Sequence, residues 1–393
     1  MKIHVVHVIQ EYFPALGGGP LAVHLRAMEL SKYGIKNTVL TTNMINTKKN
    51  ITIRPGQYSD GEITVYRLRA LNFNSNYIVV PEILSYLLFL DYDIIHVYGY
   101  GYFSTEVAAL ASRLRNKPMV FSPCGYFPLT MKVNRYITKF YGLISKMNSL
   151  KKANYIFVES MDDFQIYSTL AKEEKLKIIP GPTLKKEVVA QNVSACKFLE
   201  KYNIDYPYFF SLGRITETKG FQNIINSIPQ LLKLDQDINA KFIIAGADQG
   251  YSTKLKRIAS SLGIYDKVII IENIDEDLKY PAMSGAVAFI LPSFYETYGN
   301  VVSEAMAIGT PVICTKFGGA AEKLPKGNLS RIVNPNNPME MANAFSWALG
   351  LSKKERDLIK EAYRNSLENN HTVEATSQMC LMVYQQIMDG DKH

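Results

Sequence analysis

The sequence has little cysteine and tryptophan, and its histidines are scattered. Its 393 residues include four cysteines, one tryptophan and six histidines. Cys124, Cys196, Cys314 and Cys380 lie far apart, with no CxxC pair and no companion histidines, which argues against a disulfide framework or a zinc site. No histidine has metal-ligand spacing either. We therefore predict no metal site and no bound cofactor.

Long hydrophobic runs are also missing. The most apolar run, residues 77–90, is interrupted by Pro81 and Glu82 and is shorter than the roughly 20 residues that cross a bilayer. It predicts a buried helix. The N-terminus, MKIHVVHVIQ, begins with a strand pattern and lacks the segments of a signal peptide, so we expect a cytoplasmic protein.

Acidic residues are scarce in the first half only. Residues 1–181 carry 21 Lys and Arg against 13 Asp and Glu, whereas residues 182–393 carry 23 of each. A positive half can attract an anionic donor, a lipid-phosphate acceptor or the cytoplasmic membrane surface. The basic and aromatic stretch from Lys132 to Lys152 suits peripheral contact with an anionic membrane, and equally a solvated helix that covers the core. Nucleic acid is not an expected partner.

The length and the strand pattern predict two domains. The chain is longer than one hydrophobic core usually supports. Short β-branched or aromatic runs alternate with helical patterns, as in a parallel sheet with crossover helices. The segment KIIPGPTLKK, residues 177–186, has the composition of a linker. Strands are predicted at residues 3–9, 37–43, 93–99, 118–124, 154–160, 208–214, 241–247, 267–273, 287–293 and 311–317.

These patterns favour an α/β protein of two Rossmann-like, doubly wound domains, at residues 1–181 and 182–373. A C-terminal helix, residues 374–393, needs a surface to pack on. Ligands of such sheets bind beyond the carboxyl ends of the strands, so the loops there are the candidate sites. Helices are predicted at Pro20–Tyr33, at Ser104–Arg115, up to about Leu234 and from Asn300.

The most specific motif is PSFYETYGNVVSEAMAIGTPVI, residues 292–313. It has Glu296 in the loop after a strand and Glu304 in the following helix, an E-x7-E pair. The N–H groups of Gly299, Asn300 and Val301 begin that helix and can receive phosphate or hydroxyl oxygens. Glu296 can accept hydrogen bonds from sugar hydroxyls, and Glu304 from a ribose diol. Alternatively, Glu296 interacts with the helix dipole and Glu304 is a solvated helix carboxylate.

A second motif, SLGRITETKG, spans residues 211–220. A strand ends at Gly213 and Arg214, and a helix begins after Lys219. The Arg fork and the Lys point charge together suit a diphosphate, and they can neutralise a departing phosphate. The alternative is a pair of surface cations beside Glu217.

The third motif, EYFPALGGGPLAVHL, contains Gly17, Gly18 and Gly19. These glycines let the backbone pass close to a ligand, and Pro20 suits the first position of the next helix. The match to G-x-G-x-x-A is weak evidence for a dinucleotide, because strand two lacks the acidic residue that binds a ribose of NAD. We interpret the loop as clearance for a substrate, with a plain helix-entry turn as the alternative.

Other polar residues have structural interpretations. Asp91 and Asp93 resemble a metal-binding D-x-D but precede their strand, which puts them at the wrong sheet edge. Asp275 to Asp277 more plausibly caps a helix. The histidines in strands are expected to be packed or hydrogen-bonded core residues, and the one on the first helix to be structural: His4, His7, His96 and His24.

In order, the glycine loop, G-R-x4-K-G and E-x7-E resemble the glycosyltransferase group 1 family, the family 4 retaining enzymes of GT-B architecture. That architecture implies two Rossmann-like domains facing a central cleft, with the last helix returning to the first domain. The resemblance implies that Arg214 and Lys219 hold the donor diphosphate, Glu296 the transferred sugar and Glu304 the donor ribose. Gly17 to Gly19 would lie near the phosphates and the acceptor. It also implies front-face transfer with retention, without a metal or a protein nucleophile.

Two positions depart from the family pattern. Many relatives have His-Gly or Arg-Gly where SPCGYF has Cys124 and Gly125, so that Tyr126 or another residue would have to supply the usual contact to the sugar. The linker reads IIPGPTL instead of Pro-Asn-Gly.

The expected activity is transfer of a hexose or N-acetylhexosamine from a UDP- or GDP-linked donor to a saccharide or lipid-linked acceptor, as in polysaccharide assembly. Two alternatives stay open. A nucleotide-sugar epimerase can share the fold but needs acid–base groups near the sugar, and the N-terminal loops offer few. A non-catalytic sugar-nucleotide-binding subunit is conceivable because of Cys124.

Overall fold

The computed structural model describes residues 3–15, 17–46, 51–74, 77–125, 148–182, 193–294 and 296–390. The chain divides into two units, residues 1–183 with 372–393, and residues 184–371. The junction after residue 183 falls within the proline- and glycine-containing segment 177–186. The N-terminal unit therefore contains both ends of the chain.

The N-terminal unit is built on one large sheet and two hairpins. Its strands are β1 (His4–Val8), β2 (Lys36–Thr42), β3 (Met44–Asn46), β4 (Ile51–Thr52), β5 (Gly56–Asp60), β6 (Ile63–Leu68), β7 (Leu71–Asn74), β8 (Tyr77–Val79), β9 (Ile94–Tyr98), β10 (Met119–Ser122), β11 (Tyr155–Val158) and β12 (Leu176–Ile178). The eight-stranded sheet has the order β12-β11-β10-β9-β1-β2-β6-β5. Only its edge strand β5 runs antiparallel to its neighbour, while β3–β4 and β7–β8 form hairpins.

Helices cover both faces of this sheet. They are α1 (Gly18–Lys32), α2 (Ile83–Phe89), α3 (Phe103–Leu114), α4 (Ser149–Lys152), α5 (Met161–Ser168) and a C-terminal helix (Val373–Gly390). Because side chains of a strand alternate between faces, Val6 and Val8 pack in one core cluster and Val5 in another. The C-terminal helix closes the Val5 side, where its Cys380 and Tyr384 are fully buried.

The C-terminal unit has a six-stranded, all-parallel sheet. Its strands are β13 (Tyr208–Leu212), β14 (Lys241–Gly246), β15 (Val268–Glu272), β16 (Phe289–Leu291), β17 (Val312–Thr315) and β18 (Arg331–Val333), in the order β15-β14-β13-β16-β17-β18. Its helices are α6 (Cys196–Tyr202), α7 (Phe221–Leu234), α8 (Ser252–Ser261), α9 (Lys279–Ser284), α10 (Asn300–Ile308), α11 (Pro338–Leu349) and α12 (Lys353–Asn370).

Both faces of this sheet are buried as well. Phe210 and Leu212 of β13 pack in one cluster, and Phe209 packs in the opposite one against Phe242 and Phe345. The continuous apolar runs of these strands follow from this two-sided burial.

Three sequence-based expectations were wrong in detail. The run 77–90 is not one buried helix: Tyr77–Val79 is a strand and the helix starts at Ile83, because the residue before Pro81 favours extended backbone. Phe89, at its end, is 87% exposed. Helix α1 begins at Gly18, so Pro20 is its third residue, where a missing N–H is equally harmless.

Asp275 does not cap a helix with its side chain, because its carboxylate pairs with Lys201 instead.

Candidate functional site

Four loops of the C-terminal unit meet at the carboxyl edge of its sheet. They follow β13, β14, β16 and β17, which are neighbours in the parallel order. The Phe294 N–H donates to the Thr218 carbonyl at 3.2 Å, which joins the first loop to the third. The Gly319 N–H donates to the Glu296 carbonyl at 3.0 Å, which joins the fourth loop to the third. The motifs that are far apart in sequence therefore share one backbone network.

Two glycines make this close approach possible. Gly220 has a φ of 70°, and a Cβ there would lie 2.0 Å from the Pro292 carbonyl oxygen. Gly318 has a φ of 88°, and its Cβ would lie 1.8 Å from the Glu296 carbonyl oxygen. No side chain fits at either position, so the sequence of these loops is restricted by backbone contact as well as by chemistry.

Lys219 and Glu296 are in direct contact. The Lys219 ammonium donates to Glu296 Oε2, although the residues are 77 positions apart. Their side chains are 20% and 19% exposed, so the pair is partly shielded but reachable from solvent. An ammonium has three donors, and the two that Glu296 does not use remain for an anionic ligand. The structure thus brings together two of the three predicted catalytic residues.

Arg214 lies two residues beyond the end of β13. Its side chain is exposed, and the structure shows no ion pair or hydrogen bond from its guanidinium to another described residue. The preceding Gly213 is half-buried, and a Cβ there would lie 3.9 Å from Cδ of Lys219. Gly213 therefore lies next to the Lys219 side chain, and Arg214 is exposed to solvent at the same edge of the sheet.

Glu304 is not a solvated helix carboxylate. It lies in α10 and is 7% exposed, and its Oε1 accepts from the Lys279 ammonium at 3.0 Å. Lys279 also donates to Glu276 at 2.8 Å. Burial raises the pKa of Glu304, and Lys279 partly opposes this rise. Burial by itself would lower the pKa of Lys279, but the Glu304 carboxylate reverses this and the pKa is raised.

The second oxygen of Glu304 has no hydrogen-bond partner among the described residues. Oε2 is buried and makes no hydrogen bond to any described residue. A buried carboxylate oxygen without a donor is costly, so such groups usually receive a hydrogen bond from water or a ligand. Glu304 is therefore built to accept one more donor, such as a hydroxyl group.

Gly299, the N-cap of α10, adopts a left-handed conformation with φ 67° and ψ 58°. Asn300 and Val301 follow as the first helical residues, so their N–H groups belong to the turn that an α-helix does not satisfy internally. The Gly299 carbonyl accepts from the buried ammonium of Lys323 at 3.1 Å. This turn is the predicted receiver of phosphate or hydroxyl oxygens.

Lys323 supports the turn from inside the unit. It is 2% exposed, donates to Ser303 Oγ at 2.8 Å and lies 3.3 Å from the centroid of the Tyr298 ring. The Tyr298 hydroxyl contacts His371 Nδ1 at 2.8 Å. Burial, with a further contribution from Lys323, lowers the pKa of His371 to about 4. The imidazole is therefore neutral at pH 7, next to a buried cation.

The N-terminal glycines adjoin a separate pocket. Gly17 has a φ of 143°, and Gly18 and Gly19 open α1. Gly19 lines a pocket of about 140 Å³ at the carboxyl ends of the neighbouring strands β1, β9 and β10. Its walls are Ile9, Gln10, Glu11, Gly19, Pro20, Tyr98, Gly99, Tyr100, Tyr102, Pro123, Cys124 and Gly125. We call it the tyrosine pocket.

Cys124 forms part of that pocket. Its backbone has a φ of 54°, and its Sγ lies 3.5 Å from the Ser122 carbonyl oxygen. Desolvation raises the pKa of the thiol, although the residue as a whole is exposed at the pocket mouth. The thiol is therefore neutral at pH 7. Tyr126, its suggested substitute, lies outside the described residues.

The core histidines form a network behind the pocket. The Tyr98 hydroxyl contacts His7 Nδ1 and His96 Nδ1, each at 3.0 Å. His96 also contacts Tyr384 of the C-terminal helix at 2.5 Å. Burial lowers the pKa of His7 to about 4 and that of His96 well below its ordinary value. These histidines are hydrogen-bonded core residues, as expected, and both are neutral.

Sequence reasoning missed Lys279, Lys323 and the tyrosine pocket. Lys279 follows the acidic cluster Asp275 to Asp277, and nothing in its sequence context distinguishes it from a surface lysine. Lys323 shows no polar pattern that distinguishes it from exposed lysines. The tyrosines at 98, 100 and 102 do have alternate spacing at the end of a strand, which was the one available signal for the pocket.

Of the basic stretch from Lys132 to Lys152, residues 132–147 lie outside the described part of the chain. No helix in the described part has the length and apolarity that a bilayer crossing requires.

The chain is similar in sequence to known glycosyltransferases. Residues 197–365 match the family model for glycosyl transferases group 1. An uncharacterized glycosyltransferase of Methanocaldococcus jannaschii is 25% identical over 94% of this chain and 92% of its own length. GDP-mannose:cellobiosyl-diphosphopolyprenol alpha-mannosyltransferase of Xanthomonas campestris is 22% identical over 78% of this chain and 76% of its own length.

Among solved structures, the Anabaena protein HepE in complex with UDP and glucose superimposes with a TM-score of 0.75. The alignment covers 98% of this chain and 100% of that one at 17% identity. At this identity the likeness shows a common fold.

Proposed function

Because residues 197–365 match the family model for glycosyl transferases group 1, we propose that this chain is a glycosyltransferase that transfers a hexose or N-acetylhexosamine from a UDP- or GDP-linked donor to a saccharide or lipid-linked acceptor. The anomeric configuration would be retained, and no metal ion would be needed. The single observation that carries the proposal is the contact between Lys219 and Glu296 at the carboxyl edge of the C-terminal sheet.

We assign the donor to the C-terminal unit. Lys219 and Arg214 are the cations for its diphosphate, assisted by the N–H groups of Gly299, Asn300 and Val301. Glu296 would hold hydroxyls of the transferred sugar next to that diphosphate. Glu304 Oε2 is buried without a hydrogen-bond donor among the described residues. This supports a role in accepting a hydrogen bond from a ribose hydroxyl, because the oxygen would otherwise stay unsatisfied.

The chemistry follows from where the charges lie. The bond between the anomeric carbon and the diphosphate oxygen breaks while the acceptor oxygen attacks from the same face, and the departing diphosphate takes the acceptor proton. Negative charge grows on the diphosphate, and the cations at 214 and 219 stabilise it there without any rearrangement. No protein nucleophile is required.

The choice of base and acceptor is supported by relatives only. The Anabaena structure contains UDP and glucose, and the Xanthomonas enzyme uses GDP-mannose and a diphosphopolyprenol-linked acceptor by its name. We propose the same range here, with the acceptor bound by the N-terminal unit near Gly17 to Gly19. A role in polysaccharide assembly at the cytoplasmic membrane face, with peripheral contact through the basic N-terminal half, is part of this proposal.

The proposal is tested with the full-length protein. Nucleoside diphosphates and their sugars are first screened by thermal shift, because a ligand of the native state raises the midpoint. The best donor is then incubated with saccharides, with and without EDTA, and the released nucleotide and the anomeric coupling constant of the product are measured.

We expect nucleotide release that depends on the acceptor and is unaffected by EDTA. We also expect an α-linked donor to give an α-linked product. An epimerised sugar from donor alone would support the epimerase instead. Binding without turnover for any acceptor would support a non-catalytic subunit.

A further inference from the structure

Lys323 is a buried lysine behind the turn that begins α10. It ends the short helical turn Ala321–Lys323, in the loop that follows β17. Its side chain is 2% exposed. Lysine is among the residues least often buried, because an ammonium loses its hydration when it leaves water. A lysine at this depth is therefore expected to have a specific role.

The Lys323 ammonium contacts three points of this turn. It donates to the Gly299 carbonyl at 3.1 Å and to Ser303 Oγ at 2.8 Å, and it lies 3.3 Å from the centroid of the Tyr298 ring. Gly299 is the N-cap of α10, Tyr298 precedes it, and Ser303 lies about one helical turn further along. A single side chain therefore spans the entry and the first turn of the helix.

Lys323 and Tyr298 are both anchored to α12. The Ser366 hydroxyl, in that helix, donates to the Lys323 carbonyl at 2.9 Å. The Tyr298 side chain is 4% exposed, and its hydroxyl contacts His371 Nδ1, at the end of the same helix, at 2.8 Å. Hydrogen-bonded networks of buried polar groups rigidify the elements that they join. The ammonium therefore holds the turn against a firmly packed helix.

The peptide between Gly299 and Asn300 links the buried lysine to the outer side of the turn. Its carbonyl accepts from Lys323, and its N–H belongs to Asn300. A peptide unit is planar and trans, so the carbonyl and the N–H point in opposite directions. A Cβ on Gly299 would lie 2.7 Å from Cβ of Ala320, so the loop after β17 also packs closely against this turn. Fixing the carbonyl toward Lys323 therefore directs the Asn300 N–H away from it.

We propose that Lys323 is a positioning residue of the donor site, whose ammonium orients the peptide between Gly299 and Asn300 so that its N–H faces the donor diphosphate. This role rests on the proposed function, in which the turn of Gly299, Asn300 and Val301 receives that diphosphate. Lys323 acts through the peptide and contacts no substrate itself. An N–H that is oriented in advance stabilises charge on the diphosphate without rearrangement during the reaction.

The test compares a nucleoside diphosphate with its nucleoside, because only the first carries the group that the turn would receive. Dissociation constants are measured on the full-length protein for UDP and uridine, or for GDP and guanosine, according to which diphosphate raises the melting temperature. Lys323→Met keeps a long unbranched side chain and removes the donor. It should weaken the diphosphate about tenfold and change the nucleoside by less than about twofold. Equal losses for both ligands would indicate a merely structural role and overturn the inference.

Two further variants separate the hydrogen bond from stability. Lys323→Gln keeps an N–H donor and should bind the diphosphate within about threefold of the wild type. A loss as large as that of Lys323→Met would contradict the role of the hydrogen bond. Tyr363→Phe is the matched control, because its buried hydroxyl contacts the Val312 N–H at 3.1 Å and the Leu329 carbonyl at 2.9 Å in the same unit. It should lower stability and leave both affinities within about twofold of the wild type. A selective loss of diphosphate affinity in this control would count against the inference.

Ser303→Ala provides the test if Lys323→Met does not fold. It removes one of the oxygens that accept from the ammonium and replaces a small side chain by another. We expect a diphosphate affinity about threefold weaker and an unchanged nucleoside affinity. An unchanged diphosphate affinity in a folded Lys323→Met, or in Ser303→Ala where the first variant does not fold, overturns the inference and leaves the proposed donor site in place. If neither UDP nor GDP binds the wild type, the proposed function itself fails.

Discussion

The carboxyl edges of the two sheets differ in how they use charge. In the C-terminal unit the edge carries the Lys219–Glu296 and Lys279–Glu304 ion pairs. In the N-terminal unit the corresponding edge is the tyrosine pocket, and the titratable groups behind it, His7 and His96, are held neutral by burial. Two units with the same α/β framework therefore place different side chains at the same edge of the sheet, since ion pairs lie at one edge and tyrosine rings at the other.

The largest effect, on the transfer rate, should come from removing Lys219 or Glu296 at the carboxyl edge of the C-terminal sheet. Lys219→Ala and Glu296→Ala should each reduce the transfer rate by about 10²- to 10³-fold, because each removes a group that we propose to contact the reacting diphosphate-sugar. Stability should change by only about 1 kcal/mol, as the pair is partly exposed. Nucleotide release and thermal unfolding measure the two quantities.

The control is Lys201→Ala, which removes a lysine from another carboxylate pair of the same unit. The side chains of Lys201 and Asp275 are 47% and 56% exposed. It should leave transfer unchanged, and full activity in Lys219→Ala or Glu296→Ala would count against the donor site.

The next largest effect should come from breaking the buried ion pair between Lys279 and Glu304. Lys279→Met should lower the free energy of unfolding by about 3 kcal/mol, because it leaves Glu304 buried without its partner. Adding Glu304→Gln should restore much of that loss. The deficit should also shrink as the pH falls, since burial already raises the pKa of Glu304 and a proton removes its charge. Denaturant unfolding at several pH values would show whether the deficit stays constant, which would contradict this account.

A smaller effect should come from backbone contact at the same edge. Gly220→Ala should cost about 2–3 kcal/mol, from the clash with the Pro292 carbonyl and from the left-handed φ together. Gly263→Ala measures the cost of the left-handed φ alone, because Gly263 has a φ of 69° and no atom lies within 4 Å of the added Cβ. It should cost about 1 kcal/mol. Equal losses in the two variants would show that the loop can move aside.

The smallest effect should be a loss of folding stability at acidic pH, caused by protonation of His7 in the unfolded chain. The pKa of His7 is about 4 in the folded unit and about 6.5 unfolded, so the unfolded chain binds more protons between these values and stability falls as the pH drops. Going from pH 7 to pH 5 should cost about 2 kcal/mol from this group. Hydrogen exchange resolved by unit would measure it.

His7→Gln should reduce that dependence in the N-terminal unit, where the lowered pKa of His96 still contributes. It should leave the C-terminal unit unchanged, where His371 titrates over the same range. A pH dependence that stays the same in the N-terminal unit would contradict the role of His7.

The predicted two-domain, Rossmann-like GT-B fold is confirmed by the strands and by the solved structures. Each predicted strand overlaps an observed one, for example 208–214 with Tyr208–Leu212, because two-sided burial leaves a continuous apolar run. The edge strand β5 was not predicted from the sequence, because it lacks this two-sided burial. Gly56–Asp60 is almost wholly exposed, so its sequence GQYSD shows no apolar run and no alternation.

The candidate site could be predicted in part. The contact between Lys219 and Glu296 agrees with the expectation that the two motifs meet, since parallel strands bring their following loops to one edge. The role of Lys279 could not be predicted, because it depends on how α9 packs beside α10. The roles of the predicted site residues in binding and transfer stay predictions until the variants are measured.

The return of the last helix has a consequence for synthesis on the ribosome. Residues 372–393 belong to the N-terminal unit, and their Cys380 and Tyr384 fill its core beside Val5. That face of the first sheet stays open while roughly half of the polypeptide is still being translated. The N-terminal unit is therefore complete only once residues 372–393 have been synthesised, and a chain truncated before residue 372 would leave that apolar sheet face uncovered.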